Sequence, residues 1–359
     1  SDIPPNITEL FKKYTELMLG RWDENKGLAI QYQAELKFYI LKNFGFYLHI
    51  NRKRDINIEE FKKYVQDYLN SIGEDEINID IITNEILYRS NLFNINGDLV
   101  SFRYFLVQEF FAGLGMENID IIKKYVGDEW WQRPIVFYFG DKPGLTTALE
   151  QLFDLSKNDS TIDKFVFSVT FGLALQAAYR IPIQDKIRMY ENMIDEITLS
   201  KNDVVKVIDG GDKYPIRNFI LYYLIGKEAV ACDILLRKDS RILSNATNSL
   251  VDIDSGMKEF YELKLFWLII NLLENDHIEK AFELLKKHKI NDPILLLAIS
   301  LNCFFIMKIK ISSKESKRDA EKLLKYIDPR ISGIKKIYLK EFKSILLEMR
   351  DGKIKEIEN

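Results

Sequence analysis

The segment from Asn57 to Phe102 constrains the fold of this chain more than any other part of its sequence. Asn57 stands where it can cap a helix, with Glu60 at the position of a capping box, and a shorter second helix is predicted from Asn78 to Arg89. Two apolar runs then surround Asn96-Gly97, and an Asn-Gly pair between such runs is a strong signal for a β-hairpin. The pattern predicts a helix, a helix and a hairpin, which together make a winged-helix arrangement.

Two further helices are predicted ahead of this unit. Asn6 can cap the first, with Glu9 placed to reach back to it and Pro4-Pro5 blocking an upstream extension. A second helix is predicted from Gly27 to Ile50, closed by a basic cluster, Arg52-Lys53-Arg54, that suits a helix C-terminus. The apolar residues of the first helix fall on one face at helical spacing: Ile7, Leu10, Phe11, Tyr14, Leu17 and Met18.

Beyond Gly144 the sequence predicts helices almost throughout. An α-hairpin is expected over residues 260–289, and a similar element over 319–326, with the small residues Ala281 and Ala320 allowing close packing. The fold class is therefore predicted to be mainly α, with a winged-helix subdomain followed by an array of α-helical hairpins, tetratricopeptide-like or an irregular solenoid. Short turn signals are expected to separate the helices at 158–160, 210–215, 275–276, 291–293, 328–329 and 351–352.

Length, composition and charge set the class of protein. A chain of 359 residues with 47% hydrophobic residues can form two or more domains with sizeable cores. A net charge of −3 gives no overall attraction to nucleic acid or to an anionic membrane. The sequence has no apolar run long enough to span a membrane and no signal peptide. We expect a soluble, cytoplasmic protein in which Cys232 and Cys303 are buried, reduced thiols.

No arrangement in the sequence predicts an enzyme active site. His49, His277 and His288 are scattered without the spacing of metal ligands, so no metal site is expected. Asp252 and Asp254 could hold a cation, but a capped loop before a helix explains them equally well. A phosphate loop of the form G-x-x-x-x-G-K-[ST] is absent from the sequence, so the chain is predicted to bind no cofactor and to be no enzyme by itself.

Two segments bear on nucleic-acid binding. In a winged helix the second helix enters the major groove, and here that helix carries one Arg, two acidic residues and no Lys. Asp98 at the hairpin tip adds negative charge, so this surface is predicted to repel DNA. The basic run from Lys308 to Arg318 contains no aromatic residue and is interpreted as a solvated loop, with docking of an acidic partner as the alternative.

Residues 101–113 and 128–140 carry a resemblance to a known family. Phe102, Phe110, Phe111, Gln108, Glu109 and Ala112 match the pattern F-x-H-x-S-F-Q-E-Y/F-F-A-A, and Asp128 with Trp131 matches the following D-x-x-W. Near the N-terminus, Leu10-Phe11, Tyr14 and Arg21-Trp22-Asp23 match L-Y/F-x-x-Y and an R-W-D ending. Over about the first 140 residues the chain resembles the NACHT-type STAND ATPases, in the part that follows their nucleotide-binding core.

The resemblance implies a domain organisation. Residues 1–55 would form the helical lid subdomain, 56–116 the winged helix and 117–359 a helical, repeat-like sensor or interaction domain. The chain would be the C-terminal part of a larger protein, cut just after its ATPase core. ATP or ADP would bind in that parent protein, and the partners of this chain would be the parent's nucleotide-binding domain and a protein ligand on the C-terminal helices.

Tyr104 is the candidate nucleotide-sensor residue. It takes the position of the family's His, which reads the phosphate of the bound nucleotide, while Leu106 and Val107 replace the family's Ser and Phe. A Tyr hydroxyl can donate one hydrogen bond to a phosphate but stays neutral. The alternative is that Tyr104 is one more aromatic residue on a buried helix. Gln108, Glu109 and Trp131 are expected to be structural, the last by fixing the winged helix to the helical region.

Three classes of function follow from these observations. The first is a regulatory and ligand-sensing portion of a NACHT-like STAND ATPase, which switches oligomerisation of the parent protein. Because many bacterial members act against phage, the expectation extends to antiviral defence. The second is a stand-alone helical scaffold for protein–protein interaction with no nucleotide role. The third, a winged-helix transcription factor, conflicts with the charge of the predicted recognition helix.

Overall fold

The computed structural model of the chain describes residues 6–21, 32–155, 161–178, 180–209, 215–232, 258–308 and 313–350. These residues are mainly helical, with one small antiparallel sheet of three strands. The chain divides into two compact units, the first comprising Ser1–Leu152 with Ala177–Ile181 and the second comprising Phe153–Gln176 with Pro182–Asn359. The predicted boundaries after residues 55 and 116 both fall inside the first unit.

The first unit holds seven helices and the three strands among its described residues. In chain order these are α1 (Ile7–Glu16), α2 (Ala34–Ile50), β1 (Asp55–Asn57), α3 (Ile58–Ser71), α4 (Ile79–Asn84), β2 (Phe93–Asn96), β3 (Leu99–Phe102), α5 (Phe105–Gly115), α6 (Ile119–Tyr125) and α7 (Gln132–Asp141). Wider helical turns continue α1 over Leu17–Arg21 and α4 over Glu85–Arg89, and a short 3₁₀ turn, Glu129–Trp131, precedes α7. Helix α8 (Thr146–Leu155) runs from the first unit into the second.

The second unit is built from long helices. These are α9 (Thr161–Ala177), α10 (Ile183–Asp209), α11 (Pro215–Val230), α12 (Lys258–Glu274), α13 (Ile278–Lys287), α14 (Pro293–Lys308) and α15 (Lys314–Arg350). Throughout the described part of the chain, no helix is long and apolar enough to cross a membrane.

The predicted caps of the first unit are confirmed. Asn6 accepts a hydrogen bond from the Glu9 backbone N–H, and Asn57 caps α3 in the same way. Asn78, predicted only as the start of the next helix, caps α4 by accepting from the Ile81 N–H. Glu60 does not complete a capping box, because its carboxylate instead accepts from the Tyr47 hydroxyl and the Lys53 ammonium group. A long-range ion pair and a Tyr donor have replaced the local contact that the sequence pattern predicted.

The hairpin is confirmed, but its turn lies one residue later than predicted. Asn96 pairs with Leu99, so the two turn residues are Gly97 and Asp98, with Gly97 at a φ of +62°. A glycine with positive φ at the first turn position is typical of a type II′ turn. Strand β1 was not predicted, because three residues with a single apolar side chain give no periodic signal; it pairs antiparallel with β3 and places β3 in the middle of the sheet.

The exposed face of α1 differs from the prediction. Thr8 and Thr15 are the fully buried residues of this helix, and Phe11 packs against Phe110 and Phe137 of the core. The small threonines bring α1 close to α7, where Gly140 leaves room for Thr8. Only part of the predicted apolar face is therefore buried. Phe11 and Met18 contact the core, whereas four other residues of that face are 39–53% exposed: Ile7, Leu10, Tyr14 and Leu17.

Glycines allow α2, α5 and α7 to pack at very short range. A Cβ atom on Gly45 of α2 would lie 2.5 Å from Cβ of Phe111, and one on Gly115 of α5 would lie 2.6 Å from Cβ of Phe46. Gly113 of α5 meets the backbone of α7 at Pro134 in the same manner. Because these contacts involve backbone and Cβ atoms, no side chain can turn aside to accept a larger residue.

Packing in the second unit confirms the predicted α-hairpin and corrects one turn. Helices α12 and α13 are joined by a tight turn at Asn275-Asp276, and Ala281 and Ala320 are completely buried. The turn predicted at Asp328-Pro329 is wrong, because α15 continues through Pro329. A proline disfavours but does not forbid a helix when tertiary packing supports it, and here Leu323, Ile327 and Ile331 are buried on both sides of it.

Buried polar side chains fix the loops of the second unit. The Glu262 carboxylate accepts from the backbone N–H groups of Asn291 and Asp292 and from the Asn291 amide, immediately before α14. Asn271 donates to the carbonyl oxygens of Val230 and Cys232, which terminates α11. Such contacts satisfy backbone groups that a helix leaves unpaired at its ends.

Several predicted features lie outside the described residues. These are the residues from Ile3 to Pro5, the Trp22-Asp23 ending, the predicted start of the second helix at Gly27, Asp252 and Asp254, and the turn signals at 158–160, 210–214 and 351–352. Residues 309–312 of the basic run are also outside, whereas Lys314–Arg318 form the first turn of α15, where Ser313 accepts from the Ser316 N–H.

Candidate functional site

Tyr104 lies on the surface of the first unit, directly before α5. Its backbone is extended, with φ −124° and ψ 127°, and it occupies the N-cap position of the helix. The residue is 62% exposed. The alternative in which Tyr104 is an aromatic residue on a buried helix is therefore wrong, although its neighbours in the motif, Phe110 and Phe111, are completely buried.

Beside Tyr104, the guanidinium group of Arg54 packs on an aromatic floor formed by the rings of Phe105 and Trp130. The guanidinium of Arg54 lies 4.6 Å from the centre of the Phe105 ring and 5.5 Å from that of Trp130. A guanidinium over aromatic faces is held by cation–π attraction. Contacts with two rings leave this exposed arginine less freedom than an isolated side chain would have, so its charge has a defined place at the start of α5.

Glu109 lies one helical turn further along α5 and faces two arginines. Its carboxylate is mostly buried, and Oε2 lies 4.0 Å from Nε of Arg133. Burial raises the pKa of Glu109 from 4.5 to about 7, although the charges of Arg133 and Arg54 act in the opposite direction. At neutral pH this carboxyl group is therefore divided between its charged and neutral forms.

His49 is buried against Trp130 and Phe105, the two aromatic residues on which Arg54 packs. Its Nε2 donates to the Trp130 carbonyl oxygen at 2.7 Å, while Nε1 of Trp130 donates to the His49 carbonyl oxygen at 3.0 Å. The two rings stack at 4.6 Å. Burial lowers the pKa of His49 from 6.5 to about 4, so the imidazole is neutral at physiological pH. Its other ring nitrogen, Nδ1, is buried without a hydrogen-bond partner among the described residues.

Gln108 makes a hydrogen bond between segments of the kind that the sequence led us to expect, whereas the rings that contact Trp131 lie outside residues 56–116, the range predicted for the winged helix. The Gln108 amide donates to the Lys53 carbonyl oxygen at 2.9 Å, which attaches α5 to the segment before β1. Trp131 is 2% exposed, and its ring stacks on Tyr125 and packs edge-on against Phe46 of α2. These residues hold the 3₁₀ turn and α7 against α2 and so fix the surroundings of Glu109.

The basic cluster after α2 has three separate roles that the sequence did not distinguish. Arg52, at a φ of +52°, forms an ion pair with Asp128, Lys53 pairs with Glu60, and Arg54 lies on the aromatic floor. Sequence reasoning assigned all three to the helix dipole. The spacing gave no sign that residues 49–54 and 128–133 meet, because they are more than seventy positions apart.

The opposite pKa shifts of His49 and Glu109 predict opposite pH dependences of stability. His49 has a folded pKa below its ordinary value, so the stability it contributes is complete above pH 6.5 and is lost as the pH falls toward about 4. Glu109 has a folded pKa above its ordinary value, so its contribution is complete below pH 4.5 and is lost as the pH rises through about 7.

We therefore expect two single variants to differ from the wild type in opposite directions. Between pH 6.5 and 4.5, the wild type should gain about 2–3 kcal/mol over Glu109→Gln and lose about the same amount relative to His49→Phe. The measurement is the free energy of unfolding in urea at both pH values, taken as variant minus wild type so that other carboxylates cancel. Two differences of the same sign would contradict the assignment.

Comparison of the chain with known protein families, with curated proteins and with solved structures finds no match. Within the described ranges, no group of His, Cys, Asp and Glu side chains is placed to hold a metal ion. His277 and His288 stand apart as the residues immediately before and after α13, and both are half-buried. Cys232 and Cys303 are buried thiols, as predicted. The function of the residues around Tyr104 is therefore inferred from the chemistry of those residues.

Proposed function

We propose that this chain is the regulatory and ligand-sensing portion of a NACHT-like STAND ATPase and that it switches oligomerisation of the parent protein. The observation that carries the proposal is the place of Tyr104, which takes the position of the family's His and is 62% exposed at the start of α5. A residue that reads a nucleotide held by another domain must be accessible from outside its own unit. Tyr104 meets that requirement.

The order of elements around Tyr104 also supports the proposal. Helices α3 and α4 followed by the β2–β3 hairpin stand in the order expected for a winged-helix subdomain, and β1 adds a third strand. Helix α5 then leaves the hairpin directly, so Tyr104 stands where the sheet ends and the helix begins. We propose that this subdomain closes over ADP in the resting parent protein.

The charges near Tyr104 suit a phosphate-bearing partner. Arg54 is exposed over the Phe105 ring, Arg133 is 62% exposed, and Arg103 precedes Tyr104 on the surface. Guanidinium groups are effective donors to phosphate oxygens. The family's His donates to phosphate from an imidazole, and we propose that the hydroxyl of Tyr104 takes that part here.

The proposed mechanism is a two-state switch. In the resting state the first unit holds the ADP-bound core closed, and a protein ligand on the helices of the second unit favours the open state. A ligand can shift this equilibrium only to the extent that it binds the open state more tightly than the closed one. We extend the proposal to defence against phage, in which the ligand would be a protein made during infection.

The test is the rate at which the full-length gene product releases ADP. We expect Tyr104→Ala to release ADP about fivefold faster than the wild type, because one hydrogen bond to phosphate is worth about 1 kcal/mol. Tyr104→His should retain ADP at least as long as the wild type, since a His can also donate to phosphate. Release is measured by displacement of a fluorescent ADP analogue.

Tyr88→Ala is the matched control, because Tyr88 is an aromatic residue of the same unit and is 60% exposed. It lies on the turn that follows α4, away from the start of α5 in the chain. Equal release rates for the two alanine variants would argue against Tyr104 as a nucleotide contact. If the full-length product has no phosphate loop and retains no nucleotide, the helical interaction scaffold becomes the better interpretation.

A further inference from the structure

Two arginines in the first unit face one buried carboxylate without engaging it closely. Oε2 of Glu109 is 4.0 Å from Nε of Arg133, which is the outer limit of an ion pair. In the part of the chain that the structure describes, no group hydrogen-bonds the Glu109 carboxylate, and neither Arg54 nor Arg133 donates a hydrogen bond. Two guanidinium groups, each with five N–H donors, thus act on one buried acid that neither contacts closely.

Arg54 is held by aromatic contacts, and Arg133 reaches the same region from the start of α7. Arg54 lies on the rings of Phe105 and Trp130, and Arg133 follows Trp130 by three residues at the start of α7. The reciprocal hydrogen bonds between Trp130 and His49 fix that aromatic floor from below. The guanidinium groups therefore come from two distant segments of the chain and converge on the side of α5 that carries Glu109.

We propose that Arg54 and Arg133 bind a phosphate group between them, and that the negative charge of Glu109 competes with that ligand for the two guanidinium groups. The chemical class is a diphosphate, free or as the end of a nucleoside diphosphate. The inference rests on the proposed function only for the source of the phosphate, since the site itself belongs to this chain. It assigns phosphate binding to two residues that lie outside the motif of Tyr104.

Competition between two negative charges couples phosphate binding to the uptake of a proton by Glu109. A carboxylate beside a bound phosphate is repelled, so the complex favours the protonated acid. The pKa of Glu109, raised by burial to about 7, puts this exchange within the physiological range. Affinity for the phosphate group should consequently fall as the pH rises through 7.

Other charged groups around Glu109 keep their charge over this range. On α2 the pKa of His49 is lowered by burial to about 4, so this residue stays neutral. After α2, Arg52 is paired with Asp128 and Lys53 with Glu60, and hydrogen bonding to Glu60 raises the pKa of Lys53 further. Helix α5 carries no second ionisable side chain, since Glu109 is the one charged residue among Phe105–Gly115.

The experiment is calorimetric titration of the chain with inorganic pyrophosphate, and in parallel with ADP, at pH 6, 7 and 8. For the wild type we expect the association constant to fall by about tenfold more between pH 6 and pH 8 than for Glu109→Gln, because a group of pKa near 7 changes from mostly protonated to mostly charged. The ligands' own ionisation affects both proteins equally. At pH 8 Glu109→Gln should bind about tenfold more tightly than the wild type.

Arginine variants locate the site. Arg54→Ala and Arg133→Ala should each weaken pyrophosphate binding by at least tenfold, and Arg54→Lys should weaken it less because it keeps the charge while losing the fork of donors. Arg318→Ala, an arginine of the second unit with 63% of its side chain exposed, should bind like the wild type. Circular dichroism of each variant verifies that it is folded.

The outcomes distinguish a free phosphate ligand from a nucleotide, and they can refute the proposed site. Equal affinity for pyrophosphate and ADP would mean that phosphate alone is recognised, whereas tighter binding of ADP would identify a nucleotide as the ligand. An absence of binding to either ligand, or equal pH dependence in the wild type and Glu109→Gln, would refute the proposal. Because the titration uses the chain alone, its failure is distinct from a failure of the ADP-release test of Tyr104.

Discussion

Gly113→Ala is expected to destabilise the first unit by about 3 kcal/mol, at the upper end of the range for overpacking a core. The new Cβ atom would lie 2.7 Å from Cβ of Phe137 and closer still to the Pro134 carbonyl oxygen. Both atoms are fixed by the backbone of α7, so neither can move away through a change of side-chain rotamer. Helices α5 and α7 would have to separate, and with them the residues that surround Glu109.

The same substitution at Gly333 is the control for helix propensity. Gly333 lies in α15, and beyond its chain neighbours and its own helix backbone no atom of the described residues lies within 4 Å of the position that a Cβ atom would take. Alanine there should therefore stabilise the helix by up to about 1 kcal/mol. The measurement is urea unfolding, followed by circular dichroism for the helices as a whole and by tryptophan fluorescence, to which Trp130 and Trp131 contribute from the first unit and Trp267 from the second. A Gly113→Ala protein as stable as the wild type would show that α5 and α7 are less tightly packed than these short distances indicate.

Lys37→Met is expected to cost about 3–5 kcal/mol of stability, because it leaves the Glu85 carboxylate buried without its nearest cation. Nζ of Lys37 is 3.1 Å from Oε2 of Glu85, and the two side chains are 3% and 5% exposed. Arg89 remains 4.0 Å from the other Glu85 oxygen, which is too far to replace a direct contact. The pair joins α2 to the turn that follows α4.

A double variant tests whether the loss comes from the uncompensated charge. Lys37→Met with Glu85→Leu should recover most of the stability, since a buried ion pair can be replaced by apolar residues of similar size. Lys62→Met, which removes a half-buried lysine paired with the exposed Asp80, should change the unfolding midpoint very little. If the double variant is no more stable than Lys37→Met, the cost would instead reflect packing around Lys37.

Local signals in the sequence predicted the elements of the first unit well. Asn6 and Asn57 cap the helices they were expected to cap, because an N-cap depends on hydrogen bonds to backbone groups only two or three residues away. The hairpin was found for the same reason, with an error of one residue in its turn, since both Asn-Gly and Gly-Asp suit a two-residue turn.

Contacts between distant segments could not be read in this way. Glu60 was expected to complete a local cap but pairs with Lys53 and Tyr47, and Pro329 was expected to end a helix that tertiary packing carries through it. The apolar pattern of α1 likewise did not show that Thr8 and Thr15 would be the buried residues. Each error arose where a partner from another part of the chain outweighed a local preference.

Neighbours within a few residues were enough to specify the helices, their caps, the hairpin and the position of Tyr104 beside it. Three other features follow from tertiary packing: Tyr104 is exposed, Arg54 and Arg133 converge on Glu109, and His49 is buried against Trp130. Caps and turns form through hydrogen bonds and backbone angles that the local sequence sets. Burial, and the pKa shifts that follow from it, depend instead on which segments exclude water from one another.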